Sequence, residues 1–418
     1  MNRRLKKMMA TGMLLVMSVT AGCGNKTKTK EATEEGFCTD ISVFDCMYDP
    51  SFCDKGIVTV EDGLMIFYEY ETGKSYPLCS DAYCEHLPYD EKTNPDPVCE
   101  ATLKDLERAC IHGDYVYAIQ NTGIQEITIQ ARNLKESGYR VVATLPYCQT
   151  FSSEGYNAIM GDKAYLLLAE IDDLKDDGMS LSYTSNDLYT YLVELDLKTG
   201  EYKTLFHIEG DEKYKVLYTV YGEDGIYCCS YYEDFTYGID DEGNTDFTDF
   251  KLNEYREVLH FIPYDGSEVK EVCPELAEMI AVSGGVFPEI MISGIGERGA
   301  YLTNKEYTKI ECYRYDGGKE TVYEVPAEYK TLSYVGVCED KLLMELQSSD
   351  GTYTMAGYDL TTGELLLRDD PENASYSMIC GEGFWKTWES GDAKYKELWT
   401  YEAFFSENGK PLLTMIEK

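Results

Sequence analysis

The chain is poor in several residue types that usually mark chemistry. It has 3 tryptophans and 4 histidines among 418 residues, and only 37 Lys and Arg against 76 Asp and Glu. The resulting net charge of −39 repels phosphate backbones and excludes nucleic acid as a partner. Four of the few cations, Arg3, Arg4, Lys6 and Lys7, sit in the first seven residues, so the remainder is more acidic still. No G-x-S-x-G elbow, H-E-x-x-H helix or phosphate-binding glycine loop is present. Long apolar runs are missing after the N-terminus, so no later segment is a membrane-spanning candidate. Between Gly36 and the C-terminus no long helical period occurs, and PELAEMI, Pro274 to Ile280, is the one short helix expected.

What the chain does have begins at its start. The basic residues precede an apolar run from Met8 to about Val19, too short to span a bilayer, which ends in small residues. Thr20-Ala21-Gly22-Cys23 follows, and then the polar stretch GNKTKTKEATEEG. This order predicts a signal peptide over 1–22 and a flexible tether over 23–36. Anionic headgroups repel so acidic a chain, so membrane contact is expected through a lipid and not through the protein surface.

The rest, 37–418, repeats itself at a spacing of roughly 40 to 70 residues. One half of the unit is a Gly- or Asp-bearing turn before a tyrosine-rich apolar run, as in EDGLMIFYEY, HGDYVYAIQ and GDKAYLLLAE. The other half is a strand, a tight turn and a strand, as in VELDLKTGEYKTLF, CYRYDGGKETVYEV and GYDLTTGELLLRD. Alternation before Asp196, Asp265, Asp316 and Asp359 gives each strand one buried face. The D-x-x-T-G or D-G segment supplies the Asx side chain and the left-handed glycine that a hairpin needs. A four-stranded antiparallel sheet cannot bury both faces alone, so such units must stack.

The expected fold is therefore all-β, a single β-propeller of four-stranded antiparallel blades. Seven blades are counted, beginning near Val58, Ile111, Ile159, Val220, Gly294, Val337 and Ile379, with six or eight as alternatives. Phe37 to Phe52 is the candidate for a strand that closes the ring with the last blade. EIDDLKDDGMSLSYTSND and EDFTYGIDDEGNTDFTDFKLNEY read as looser insertions in the third and fourth units.

The densest chemistry lies in PLCSDAYCEH, Pro77 to His86, followed by Cys99. Covalent haem needs C-x-x-C-H, and the spacing here is Cys79-x4-Cys84-x-His86, so haem is a poor fit. A C-x-x-C redox pair is also absent. Cys79, Cys84, His86 and Cys99 could serve as four ligands of a closed structural zinc site. In an exported chain the same cysteines could instead form disulfides among themselves or with Cys53 or Cys110. Packing without any bond is the third reading, and Cys228, Cys229, Cys312 and Cys338 sit in apolar strand patterns that suit it. Asp240, Asp241, Asn244, Asp246 and Asp249 offer oxygen ligands for Ca²⁺ without the EF-hand spacing, and a solvated acidic insertion is the plain alternative. His112, His207 and His260 each stand alone at or in a strand, where a structural role is expected.

Three features together carry a family resemblance: the lipobox-like ending at Cys23, blades with YxxDLxTGE-type turns, and the PLCxxxxCxH…C segment after the first blade. The chain resembles a group of propeller lipoproteins of low-GC Gram-positive gut bacteria, mostly without assigned function. Bacterial lipoproteins usually have leucine where Thr20 stands, and this group has proline where Ala82 stands and a shorter gap before its last cysteine than LPYDEKTNPDPV. The resemblance implies lipidation of Cys23, a palmitoylated chain on the outer side of the cell membrane, and a propeller fold. It implies no activity.

With no intact catalytic set, a binding or interaction module for a peptide, a glycan or an envelope protein is the leading expectation. A carbohydrate-active hydrolase or lyase at the propeller funnel is the enzymatic alternative, and an envelope assembly scaffold is the third.

Overall fold

In a computed structural model the described residues are 41–44 and 51–417, apart from 54, 62, 150–156, 172–174, 177–180, 183–186, 209–213, 240–244, 284–287, 297, 339, 370–373, 380–382 and 392. The leader, the tether and Cys23 lie outside them.

The period-2 patterns become strands throughout. The first sheet is β2 (Ser51–Cys53), β3 (Gly56–Glu61), β4 (Leu64–Glu69) and β5 (Ser75–Pro77). The second is β6 (Leu106–His112), β7 (Tyr115–Gly123), β8 (Glu126–Asn133) and β9 (Arg140–Leu145). The third runs through Asn157–Met160, Lys163–Ile171, Leu188–Asp196 and Tyr202–Phe206, and the fourth through Tyr214–Tyr221, Gly225–Ile239, Thr245–Pro263 and Lys270–Glu271. The fifth spans Ile292–Ile295 to Lys319–Glu324, the sixth Tyr329–Cys338 to Leu365–Arg368, and the seventh Ser375–Ile379 to Leu413–Glu417. Each is a four-stranded antiparallel up-and-down array of the propeller-blade kind, so the all-β class expected from the repeat is the class observed.

Contacts divide the chain into two compact units, one over Asp40–Ile292 and one that includes Ser293–Lys418. In the first unit neighbouring sheets bury a face against each other. Met65 and Phe67 meet Ala109, Ile111, Val116 and Ala118, and Ile127, Ile129 and Leu145 meet Leu166, Leu168 and Val193. Tyr165 and Leu192 in turn meet Val216, Ile226 and Ile262 of the fourth sheet. In the second unit Ile310 and Cys312 meet Leu342 and Met344, and Leu343 and Met355 meet Phe384 and Trp399. Full burial of each such side chain stabilises by about 1.5–3 kcal/mol.

Three local readings change. β1 (Ile41–Phe44), expected to pair with the last unit, pairs antiparallel with Asn157–Met160 of the third sheet, Ile41 opposite Met160 and Phe44 opposite Asn157. Val43 also pairs with Phe52, so β1 joins the first and third sheets into one ladder. An open strand edge of unpaired N–H and C=O groups accepts any alternating segment that reaches it, whatever its place in sequence. The stretch expected as a loose insertion in the fourth unit is instead a continuation of the sheet, with Gly225–Ile239 pairing along Thr245–Pro263. Its aromatics alternate and meet across the strands, as the Phe235 and Phe250 rings do edge to face at 5.5 Å. The helix expected at Pro274 to Ile280 is present as α1 (Pro274–Ile280), begun by a proline and buried through Leu276 and Ile280. A second short helix, α2 (Tyr401–Phe404), was not foreseen, although Thr400 caps it by accepting from Ala403 N–H at 3.2 Å.

Candidate metal centre

The Cys/His segment grows out of the outer strand of the first sheet. β5 ends at Pro77, which cannot donate to a ladder, and the chain leaves the sheet there. Leu78 N–H still donates to Met65 O at 2.9 Å, and its side chain is buried in the core between the first two sheets. The chain returns at Ala101, whose carbonyl accepts from Met65 N–H at 2.7 Å. Both arms of the excursion thus meet on one residue of β4, which brings Cys79 and Cys99 to the same place. Thr102 fixes the returning arm by donating to Gly63 O at 2.8 Å and accepting from Tyr89 N–H at 3.2 Å.

Side chains shape the excursion itself. Asp81 accepts from Tyr83 N–H at 2.8 Å, and its carbonyl accepts from Cys84 N–H at 3.2 Å, a turn that folds Cys84 back toward Cys79. His86 then takes φ 52°, in the left-handed region that costs an L-residue about 1–2 kcal/mol. Asp90 reverses the chain again by accepting from the Thr93 hydroxyl at 2.7 Å, Thr93 N–H at 2.6 Å and Lys92 N–H at 3.0 Å, bonds that in that order lower its pKa.

The outcome is that one ligand atom each from Cys79, Cys84, His86 and Cys99 all lie within 4.8 Å of one another. Cys99 Sγ stands 3.6 Å from His86 Nδ1. Two of the sulfurs accept main-chain N–H groups, Cys84 from His86 and Cys99 from Ala101, each at 3.4 Å. Cys99 is buried, and the other three are half-buried. Burial pushes the Cys99 thiol up to about 12; the Ala101 N–H works against this, while Cys84 and Cys79 add to it. Among the described residues this is the one group of three or more Cys, His, Asp or Glu with such convergence.

A support that the sequence did not reveal comes from the second sheet. Arg132 of β8 is buried, donates to Leu78 O at 2.7 Å, and pairs with Glu100 at 3.4 Å. It therefore grips the residue before Cys79 and the residue after Cys99. Glu100 also accepts from Ser80 N–H at 2.9 Å and the Ser80 hydroxyl at 2.7 Å. Burial raises the Glu100 carboxyl, but the two Ser80 bonds and Arg132 outweigh it and leave its pKa lowered. Tyr139 completes the support by donating to Glu100 O at 2.9 Å beneath the Arg132 guanidinium.

The other expected residues fall elsewhere. Cys228, Cys229 and Cys312 are fully buried in strands, with burial pushing each of the first two thiols up, as the packing reading expects. Cys53 and Cys110 are buried, and the Cys110 thiol is pushed up by burial first and then by Cys53. Of the acidic loop, Asp240, Asp241 and Asn244 lie outside the described residues. Asp246 accepts from Thr248 N–H at 2.9 Å and the Thr248 hydroxyl at 2.7 Å, and Asp249 packs beside Gly238. His112 donates from its ring to Gly161 O at 3.0 Å, His207 stacks on Tyr191 at 4.3 Å, and His260 packs on Phe206 at 4.8 Å.

No family model matches the chain, and no curated protein matches it. Solved structures do. A prolyl endopeptidase shares 12% identity over 90% of this chain and 50% of its own, with TM-score 0.48. A post-proline cleaving enzyme from Rickettsia typhi shares 8% over 96% of this chain and 54% of its own, with TM-score 0.45. TolB from Acinetobacter baumannii shares 12% over 73% of this chain and 68% of its own, with TM-score 0.31. The chain thus spans about half the length of the first two. These neighbours are β-propeller-like proteins, and at such identities and TM-scores nothing of what they do carries over to this chain.

Proposed function

We propose that this chain is an exported lipoprotein, anchored outside the cytoplasmic membrane through Cys23, whose seven sheets act as blades of one propeller that binds a peptide, a glycan or another envelope protein. The observation that carries the reading is the order of the N-terminus: basic cluster, short apolar run, small residues, Cys23, then a polar tether before the first strand. A lipid on Cys23 holds the acidic blades near an anionic surface that would otherwise repel them. The tether lifts them clear of it.

The test is labelling of the full chain in cells with a fatty-acid analogue. Wild type is expected in the membrane fraction with label, and Cys23→Ala is expected unlabelled and released from the membrane. Label that persists in Cys23→Ala, or a wild type without label, would sink the anchoring. For the binding role, a photo-crosslinking residue at Phe250, an exposed position on the long hairpin of the fourth sheet, should give a discrete adduct in cells. Hydrolysis of cell-wall glycan or peptide by the purified chain would replace that role with an enzymatic one.

A further inference from the structure

The geometry points to a structural zinc ion bound by Cys79, Cys84, His86 and Cys99, which locks the 78–100 excursion onto the edge of the first sheet. A tetrahedral ion with Zn–S bonds near 2.3 Å and a Zn–N bond near 2.0–2.1 Å sets its sulfurs about 3.8 Å apart and a sulfur and nitrogen about 3.6 Å apart. Cys99 Sγ and His86 Nδ1 already stand 3.6 Å apart, and all four ligand atoms lie within 4.8 Å of one another. A disulfide would draw two of the sulfurs to about 2.05 Å and leave the third sulfur and the imidazole without a role. Convergence of all four donors is the arrangement that an ion requires and a disulfide does not.

The surroundings agree with coordination. The N–H groups of His86 and Ala101 point at Cys84 and Cys99 sulfur, and such bonds stabilise metal-bound thiolates. His86 holds a left-handed backbone conformation that presents Nδ1 to Cys99. Three sulfurs with one nitrogen favour zinc over calcium or magnesium, which take oxygen ligands. The set is closed, because four protein ligands fill a tetrahedron and leave no position for water or substrate. On binding, the three thiols release their protons to solvent, His86 stays neutral with its proton on Nε2, and the filled site carries one negative charge. The ion is therefore a cross-link between Pro77, where the sheet ends, and Ala101, where the chain returns to it.

The full chain, purified in detergent without chelator, decides the question by elemental analysis and intact mass. About one zinc per chain is expected, with Cys79, Cys84 and Cys99 alkylated only after the metal is removed. Cys99→Ser should lose the zinc, whereas His86→Cys, which restores a fourth thiolate, should keep it and guards against reading misfolding as metal loss. Cobalt exchanged into wild type should give the intense visible bands of a tetrahedral thiolate site. An intact mass showing one of these cysteines oxidised to a disulfide, iron in place of zinc, or a reduced metal-free chain that takes up no added zinc would each overturn the assignment.

Discussion

The first and sixth sheets make the same turn and then end differently. In the sixth, Gly363 N–H donates to Asp359 O at 2.8 Å and Asp359 N–H to Glu364 O at 3.0 Å. In the first, Gly73 N–H donates to Glu69 O at 2.9 Å and Glu69 N–H to Lys74 O at 2.9 Å. The glycines take φ 73° and 64°. Beyond the turn the sixth sheet completes itself with Leu365–Arg368, paired residue for residue with Met355 to Tyr358. The first reaches only Ser75–Pro77 and stops. Its edge is finished by the Cys/His excursion, held by Arg132 from another sheet. The turn that sets one edge is closed by bonds among adjacent residues, whereas the other edge is finished by groups more than fifty residues apart. Damage to the second kind should cost more and should be repaired only by a partner change.

The largest expected effect follows from that contrast. Arg132→Met removes the one cation paired with Glu100 among the described residues and the donor to Leu78 O, leaving a carboxylate in a largely enclosed place. Breaking such a pair from one side costs about 3–5 kcal/mol. Adding Glu100→Gln should recover much of that loss, measured by urea unfolding of the single and double variants. Equal stability of Arg132→Met and the double variant would show that the pair does not support the excursion.

The next effect separates two hairpins that look alike in sequence. Gly200 and Gly363 both take left-handed φ, 77° and 73°. A Cβ on Gly200 would come 2.2 Å from Val142 O of the second sheet, whereas the nearest atom at Gly363 is Tyr358 Oη at 3.5 Å. Gly363→Ala should cost about 1–2 kcal/mol, the backbone term alone. Gly200→Ala should cost clearly more, because a backbone carbonyl must move. Matching shifts of the urea midpoint in the two variants would contradict the close approach.

These cases show where the sequence was readable. The hairpins were, because Asp, Thr and Gly act on their own neighbours: Asp196 accepts from Lys198 and Thr199 N–H, and Asp359 from Thr361 and Thr362 N–H. The four members of the Cys/His group were readable by type, since an excursion of that length folds back on itself. Arg132 was not, because a lone arginine in the alternating strand EITIQARN looks like a solvent-facing residue and carries no local sign of its burial. The pairing of β1 was hidden for a related reason: open edges are made by tertiary structure, and ISVF suits any of them.

Acid should act on the two kinds of feature at different pH. His260 lies in the fourth sheet with burial lowering its pKa from 6.5 to about 4, and its Nδ1 has no hydrogen-bond partner among the described residues. A folded-state value below the unfolded one means that its contribution is complete above pH 6.5 and is lost as pH falls from there towards 4. The hairpin carboxyls of Asp196, Asp265 and Asp359 are lowered, so theirs is present above the ordinary carboxyl range and is lost only as pH falls through it. His260→Phe should therefore flatten the stability profile between pH 6.5 and 4 and leave the steeper loss below it. An unchanged slope in that window would assign the loss to other groups.

The smallest effect tests how local the sixth hairpin is. Asp359 accepts Thr361 N–H at 2.8 Å and Thr362 N–H at 2.7 Å on the same carboxylate oxygen. Asp359→Ala leaves two donors to water at the surface and should cost about 1 kcal/mol, the typical worth of such a bond network. Asp359→Asn keeps an acceptor oxygen in the same place and should cost less. Outside the turn, Arg298 donates to the Thr361 hydroxyl at 3.2 Å and Leu360 N–H donates to Asp340 O at 2.8 Å, and neither partner belongs to the first sheet. The change should therefore speed amide exchange within 359–364 and leave exchange at Met65 and Leu78 untouched. Faster exchange at those distant amides would mean that the two edges, so different in construction, are nevertheless coupled.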